Sequence, residues 1–240
     1  MSANPQPAEI EALLAIASRT GASTGAPVTA LRVAHAGEAV DLVGHDILVV
    51  APVAISQAMP DLFAGAPVQA TGDQLRVVTA SRLIDRAFTL FGPAAPALEK
   101  ATGWENRAGA ARDAQASLVS ANTFSGYASW VSPADRGRVV VAVMASAPGD
   151  LPKLVYALDD PKLGAGVQGD LAVSNADGFS SFRVGPSFWM GALPAPVAAL
   201  WWVHNHPLVL VLGVIVLALL LWLLISGALS ARARRRVDFH

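Results

Sequence analysis

Pro207–Leu229 reads PLVLVLGVIVLALLLWLLISGAL. No charge interrupts it, and Leu, Val and Ile dominate. A helix rises about 1.5 Å per residue, so the run is roughly 33 Å long. The hydrocarbon core of a bilayer is about 30 Å thick. One tilted helix over 207–230 is therefore expected to span a membrane. A helix buried in a soluble core rarely stays apolar on every face for this long. The rest of the chain reads as a globular part, residues 1–190, held by this C-terminal anchor.

Working outward, Arg232, Arg234, Arg235 and Arg236 follow the span directly. Before it the nearest basic residue is Arg183. Short flanks rich in Lys and Arg stay cytoplasmic. Residues 231–240 are thus expected to form a basic cytoplasmic tail, with the N-terminal part in the periplasm and the helix in the inner membrane as a single pass. Met1-Ser-Ala-Asn-Pro-Gln-Pro7 has neither the basic nor the apolar region of a signal peptide. The arginines and the missing signal agree if the chain is the C-terminal piece of a longer, signal-bearing precursor.

Pro194–Asn205 (PAPVAALWWVHN) lies between domain and span. Val197, Leu200 and Trp201 fall on one helical face, and Trp201 and Trp202 sit at headgroup level, where amphipathic rings are favoured. Residues 191–206 are expected to form an amphipathic helix in the membrane interface or against a partner. Pro207 favours a break before the span. Gly213 and Gly227 are small-residue positions where another helix could approach closely, and Trp222 lies on the same segment.

The globular part reads as α/β. Pro7–Thr20 is amphipathic, with Ile10, Leu13, Leu14 and Ala17 at helical spacing and Gly21 as its stop. Thr29–Val33 is expected to be a short strand, and Asp46–Val50 a fully apolar one of the kind found in a parallel sheet covered on both faces. A short helix over 57–63, a strand over Gln74–Thr79 and helices over Ser81–Phe91 and Pro93–Asn122 follow. Phe124–Val131 and Arg138–Ala145 pair across a turn as an antiparallel hairpin. Leu151–Leu158 is a helix with Asp150 as its N-cap. Gly169–Ser174 and Phe179–Val184 form a second hairpin around Asp177-Gly178, a strong turn signal.

Composition narrows the chemistry. The net charge of −1 gives no basic face for nucleic acid. There is no cysteine, hence no disulfide, thiol nucleophile or Cys-ligated metal. Ser18–Gly25 is rich in Ser, Thr and Gly like a flavodoxin phosphate loop. It follows a helix and precedes a strand, however, so the helix would turn the wrong end of its dipole to a phosphate. His35, Asp41, His45 and Asp46 cluster without the spacing of a ligand motif. His204 and His206 at the membrane surface read as a polar rim. Asp159-Asp160 before Pro161 reads as a helix stop rather than a metal-holding acidic pair. No catalytic, metal or cofactor residue is assigned, and an enzyme is not expected.

The C-terminal half carries a resemblance. Arg138–Ala145, Ala147–Leu158, Gln168-Gly-Asp-Leu171 and the Trp-Trp-x-x-x-His-Pro entry into a Leu-rich span with an Arg tail resemble the periplasmic, membrane-anchored B subunit of bacterial cellulose synthase. Asp41–Val50 resembles a strand of that family's second flavodoxin-like domain. The resemblance implies a flavodoxin-like α/β domain with antiparallel additions that binds no flavin, an interface helix and one anchor, without the family's carbohydrate-binding modules. It implies a non-catalytic subunit whose shelf and anchor pack on the multi-span catalytic A subunit. That partner makes β-1,4-glucan from UDP-glucose, exports it and responds to cyclic-di-GMP. The B subunit has itself been labelled cyclic-di-GMP-binding, and no site for that ligand is read here. The lipid bilayer and the nascent glucan are the other contacts it implies. A competing expectation is a single-span periplasmic ligand-binding or sensor domain, which calls for a ligand pocket.

Overall fold

The computed structural model describes residues 1–71, 74–78, 107–121, 123–186, 188, 194–205 and 207–237, with side chains of the C-terminal helices described over 194–200 and 212–227. Its elements, in chain order, are α1 (Pro7–Thr24), β1 (Ile47–Pro52), α2 (Ile55–Ala58), β2 (Val68–Thr71), β3 (Gln74–Val77), α3 (Arg107–Ala121), β4 (Ser125–Val131) and β5 (Val139–Ala145). After a 3-10 turn at Pro148–Asp150 come α4 (Leu151–Ala157), α5 (Pro161–Gly164), β6 (Leu171–Asn175), β7 (Gly178–Phe182), α6 (Ala195–Asn205) and α7 (Pro207–Val237). Packing divides the chain into two units, Met1–Met190 and Gly191–His240.

The first unit is built on a five-stranded sheet in the order β1-β5-β4-β6-β7. β1 runs parallel to β5, with Ile47 opposite Val140 and Pro52 opposite Ala145. The β4–β5, β4–β6 and β6–β7 pairs are antiparallel. Both hairpins expected from the sequence are present. β2 and β3 form a separate two-stranded antiparallel ribbon.

The runs at β1 and β5 are apolar throughout because both faces of the sheet are covered. Val49, Ala51, Ala128, Trp130, Val140 and Met144 point to one core, closed by Phe63, Val68 and the α3 residues Ala114 and Leu118. Val50, Tyr127, Val143 and Ala172 point to the other, closed by Ala12 of α1 and by Leu151, Leu154 and Val155 of α4. Trp130 ties the first layer together: its indole N–H donates to the Leu62 carbonyl at 2.9 Å, and its ring lies 5.0 Å from that of Phe63. Tyr127 does the same in the second layer, donating its hydroxyl proton to the Leu154 carbonyl. At Gly126 a Cβ would sit 2.1 Å from the Ala172 carbonyl oxygen, so β4 and β6 approach too closely for any other residue.

Several expectations are corrected. α1 passes through Gly21 and ends at Thr24; the stop is Gly25, whose φ of 69° provides the left-handed cap. One helical glycine costs only about 1 kcal/mol. Thr20, Ser23 and Thr24 extend the helix by donating back to the Ile16 and Thr20 carbonyls at 2.8–3.0 Å. Thr29–Val33 is not a strand: Leu31 and Val33 are exposed, and the stretch lies in a loop between α1 and β1. The helix expected over 57–63 is the single turn α2, followed by turns. β2 was not foreseen. Asp150 stands at the N-cap position of α4 as expected, but its side chain makes no capping hydrogen bond and instead accepts from Lys153 Nζ at 2.8 Å. Ser81–Phe91 and 93–106 lie outside the described residues.

Glu9 is 1% exposed at the start of α1. Its carboxylate accepts from Ser2 N at 3.1 Å, Ser2 Oγ at 2.8 Å and Gln6 N at 3.1 Å. The first two residues in turn hold the 33–38 loop. The Met1 amine donates to the Ala34 carbonyl, and Ala36 N donates to the Met1 carbonyl.

Candidate functional site

The residues singled out for partner or membrane contact belong to the second unit. Pro207 occupies the first position of α7, where its missing N–H costs nothing. In α6, Val197 is 48% and Leu200 72% exposed. They stand three residues apart, so one apolar face of the helix lies open. Trp201 and Trp202 are helical in backbone; their side chains lie outside the described residues, as does His206.

In α7 the large apolar side chains from Leu212 to Ile225 are exposed on every face, from 47% at Val216 to 69% at Leu224, with Trp222 at 65%. A Cβ built on Gly213 or Gly227 would meet nothing within 4 Å. Among the described residues nothing fills these small-residue notches. Ser226 is the one described hydroxyl of the segment, and it spends itself on the Trp222 carbonyl at 2.7 Å. The side chains of Arg232, Arg234, Arg235 and Arg236 lie outside the described residues, although the helical backbone continues to Val237. Among the described residues no helix is long and apolar enough to cross a membrane.

The candidates in the first unit are dispersed. Ser18–Thr24 is helix, not a phosphate loop, and its hydroxyls bond their own carbonyls. Gly21-Ala22-Ser23-Thr24-Gly25 has the Gly-x-Ser-x-Gly spacing of a nucleophile elbow. That motif needs a strand-to-helix turn, and here Ser23 sits near a helix C-terminus, donating to Thr20. Asp41 closes a turn on Val43 N at 3.0 Å. Asp46 accepts from Val139 N at 3.2 Å and lies 3.4 Å from Arg138, fastening the start of β1 to β5. His35 Nδ1 lies 3.3 Å from the Ser2 carbonyl. Asp159 pairs with Arg19, and Asp160 caps α5 through Lys162 N at 2.8 Å. Among the described residues no three His, Cys, Asp or Glu side chains converge as a metal site. Arg82-Leu-Ile-Asp-Arg86 has an Arg-x-x-x-Arg spacing and lies outside the described residues.

Among the described residues four titrating groups are displaced by their surroundings, Tyr127 and Asp170 among them. Burial holds the Tyr127 phenol well above its ordinary value. Burial also raises the Asp170 carboxyl, opposed by the N–H groups of Val184 and Gly185 and by the Arg107 charge. Asp170 stands at the entry to β6 and accepts from Val184 N at 2.8 Å and from Gly185 N, so it clasps the backbone where the chain leaves β7. The clasp was not foreseen in the sequence, where a lone Asp after Gly carries no signal of burial.

A model of the family described as cellulose synthase BcsB, second FD domain, matches residues 1–143. The chain belongs to that family. Its likeness to BcsB-type proteins extends past the matched domain into the second unit. Cellulose synthase 1 of Komagataeibacter xylinus is 27% identical over 236 residues, covering 97% of this chain and 14% of that protein. The cyclic di-GMP-binding protein of Salmonella typhimurium is 29% identical over 243 residues, covering 99% of this chain and 29% of that protein. The cyclic di-GMP-binding protein of Xanthomonas axonopodis pv. citri is 26% identical over 237 residues, with 98% and 29% covered. This chain thus spans less than a third of the length of these relatives. The BcsB assignment agrees with the resemblance read from 138–171 and 201–207.

Proposed function

We propose that this chain is a non-catalytic, membrane-anchored part of the B subunit of a cellulose synthase complex. In this reading residues 1–190 form a flavodoxin-like periplasmic domain and 191–206 an interfacial shelf. Residues 207–230 span the inner membrane, and 231–240 form the cytoplasmic tail. The shelf and span pack on the multi-span catalytic A subunit and stabilise its channel while it polymerises glucose from UDP-glucose and exports β-1,4-glucan under cyclic-di-GMP control.

The observation that carries this reading is α7. A helix with Leu, Val, Ile and Trp exposed on every face and empty notches at Gly213 and Gly227 has no stable place in water. Lipid satisfies the apolar faces, and a neighbouring transmembrane helix satisfies the glycine notches. The BcsB family match supports the catalytic subunit as that neighbour. In the globular unit Asp41, Asp46, Asp159 and Asp160 are engaged in caps, turns, an ion pair and strand fastening, which supports a scaffold over an enzyme.

The test is co-purification. Trp201→Ala combined with Trp202→Ala is expected to lower the yield of the complex with the catalytic subunit and its glucan synthesis. Both remaining at the native level would remove the shelf from the account.

A further inference from the structure

A pocket of about 300 Å³ opens at the sheet end where β5 gives way to the Pro148–Asp150 turn. The strand register builds it. Ser174 on β6 stands opposite Phe179 on β7. One residue beyond the Gly126–Val173 pair, Ser125 comes beside Ser174. Leu154, Ala157, Leu163 and Phe179 give an apolar floor, and Ser125, Ser174, Asn175, Asp177, Asp150 and Lys153 give a polar rim.

Part of that rim is already engaged. Lys153 Nζ is paired with Asp150 at 2.8 Å. The Asn175 amide donates to Ser180 Oγ at 2.7 Å and accepts from Asp177 N at 3.0 Å. The hydroxyls of Ser125 and Ser174 and the carboxylate of Asp177 make no side-chain hydrogen bond among the described residues. Two hydroxyls able to donate and accept, and one carboxylate able to accept, therefore line one cavity with that capacity unspent. One ammonium against two carboxylates disfavours a phosphate or any other anion. The volume lies at the lower end for ligand sites, suiting one sugar ring rather than a nucleotide. A pyranose offers what the walls require: a flat C–H face for the floor and hydroxyls around its edge for the rim.

We infer that this pocket holds an uncharged hexopyranose unit of a saccharide chain. Phe179 lies under the ring, and Asp177, Ser125 and Ser174 bond its hydroxyls. The choice of a β-1,4-glucan as that chain rests on the proposed function; the pocket's preference for an uncharged polyol does not.

The experiment uses the full 240-residue chain in detergent micelles, with cellohexaose as probe and saturation-transfer NMR as readout. Maltohexaose and UDP serve as comparisons, and circular dichroism checks folding. Cellohexaose is expected to bind saturably in the millimolar range. Asp177→Ala is expected to weaken it about tenfold, the loss of a hydrogen bond to a charged acceptor. Asp177→Asn, which keeps an oxygen acceptor, is expected to lose less. Absence of saturable cellohexaose binding, equal affinity in Asp177→Ala, or displacement by UDP would each overturn the inference. Preference for maltohexaose would keep the saccharide site and count against the glucan. Co-purification with the catalytic subunit tests the proposed function separately, because Asp177 lies outside the shelf and span.

Discussion

Replacing Leu217 and Leu221 together by arginine tests the anchor. The two positions are one turn apart near the middle of the uncharged run, and both side chains are exposed. Between Leu212 and Ile225 the chain carries seven Leu, two Ile and two Val. At about −0.3 to −0.6 kcal/mol per aliphatic residue on insertion scales, these contribute roughly −3 to −7 kcal/mol to membrane insertion. Each central arginine costs about 3 kcal/mol and forfeits the leucine it replaces, so the pair adds about 6 to 8 kcal/mol. Insertion should change from favourable to balanced or unfavourable. The assay is carbonate extraction of membranes from expressing cells, followed by quantification of the chain in pellet and supernatant. The native chain is expected in the pellet and the double-arginine variant largely in the supernatant. Leu217→Ala with Leu221→Ala should stay in the pellet, because alanine loses hydrophobicity without adding charge. A double-arginine chain retained at the native level, or a native chain released by carbonate, would refute the reasoning.

Two further outcomes concern the globular unit. Trp130→Phe keeps an aromatic ring against Phe63 but leaves the buried Leu62 carbonyl without its donor. It should cost about 2–3 kcal/mol and lower the thermal midpoint by about 5–10 °C, measured by near-ultraviolet circular dichroism. Asp170 is raised from 3.8, chiefly by burial, so the folded state holds its proton more tightly than the unfolded state does. Its contribution to stability is therefore fully present below the unfolded value and is lost as pH rises through the raised folded value. Thermal midpoints taken across that window should show this loss in the native chain relative to Asp170→Asn, and parallel profiles for the two would contradict it.

The parts of the fold legible in the sequence were those where a local pattern coincides with burial. Val139–Ala145 is apolar at every position because the sheet is covered on both sides, and it stands out for that reason. Asp177-Gly178 announces its hairpin because Gly178, at φ 132°, takes a conformation other residues avoid. Thr29–Val33 misled for the opposite reason. Its alternating aliphatics have strand composition, but among the described residues no strand pairs with them, and a strand exists only through its partner. The end of α1 was misplaced because Gly21 and Gly25 look alike in sequence, whereas only Gly25 turns left-handed. The wall of the saccharide pocket was not legible at all. Ser125, Ser174 and Asp177 are ordinary residues; the last two flank one hairpin, but Ser125 is far from both in sequence, and only the β4–β6 register brings it to them. The exposed faces of α7, by contrast, follow directly from composition, since a run with no polar side has no face to bury selectively.

The central claim is tested most directly by reconstitution. The catalytic subunit is combined either with residues 1–240 or with a version ending at Gly191, and UDP-glucose incorporation into insoluble glucan is measured in the presence of cyclic-di-GMP. The account predicts synthesis with the full chain and none with the truncated one, because the shelf and anchor do the stabilising. Equal synthesis with both, or none with either while the native pair is active, would contradict it.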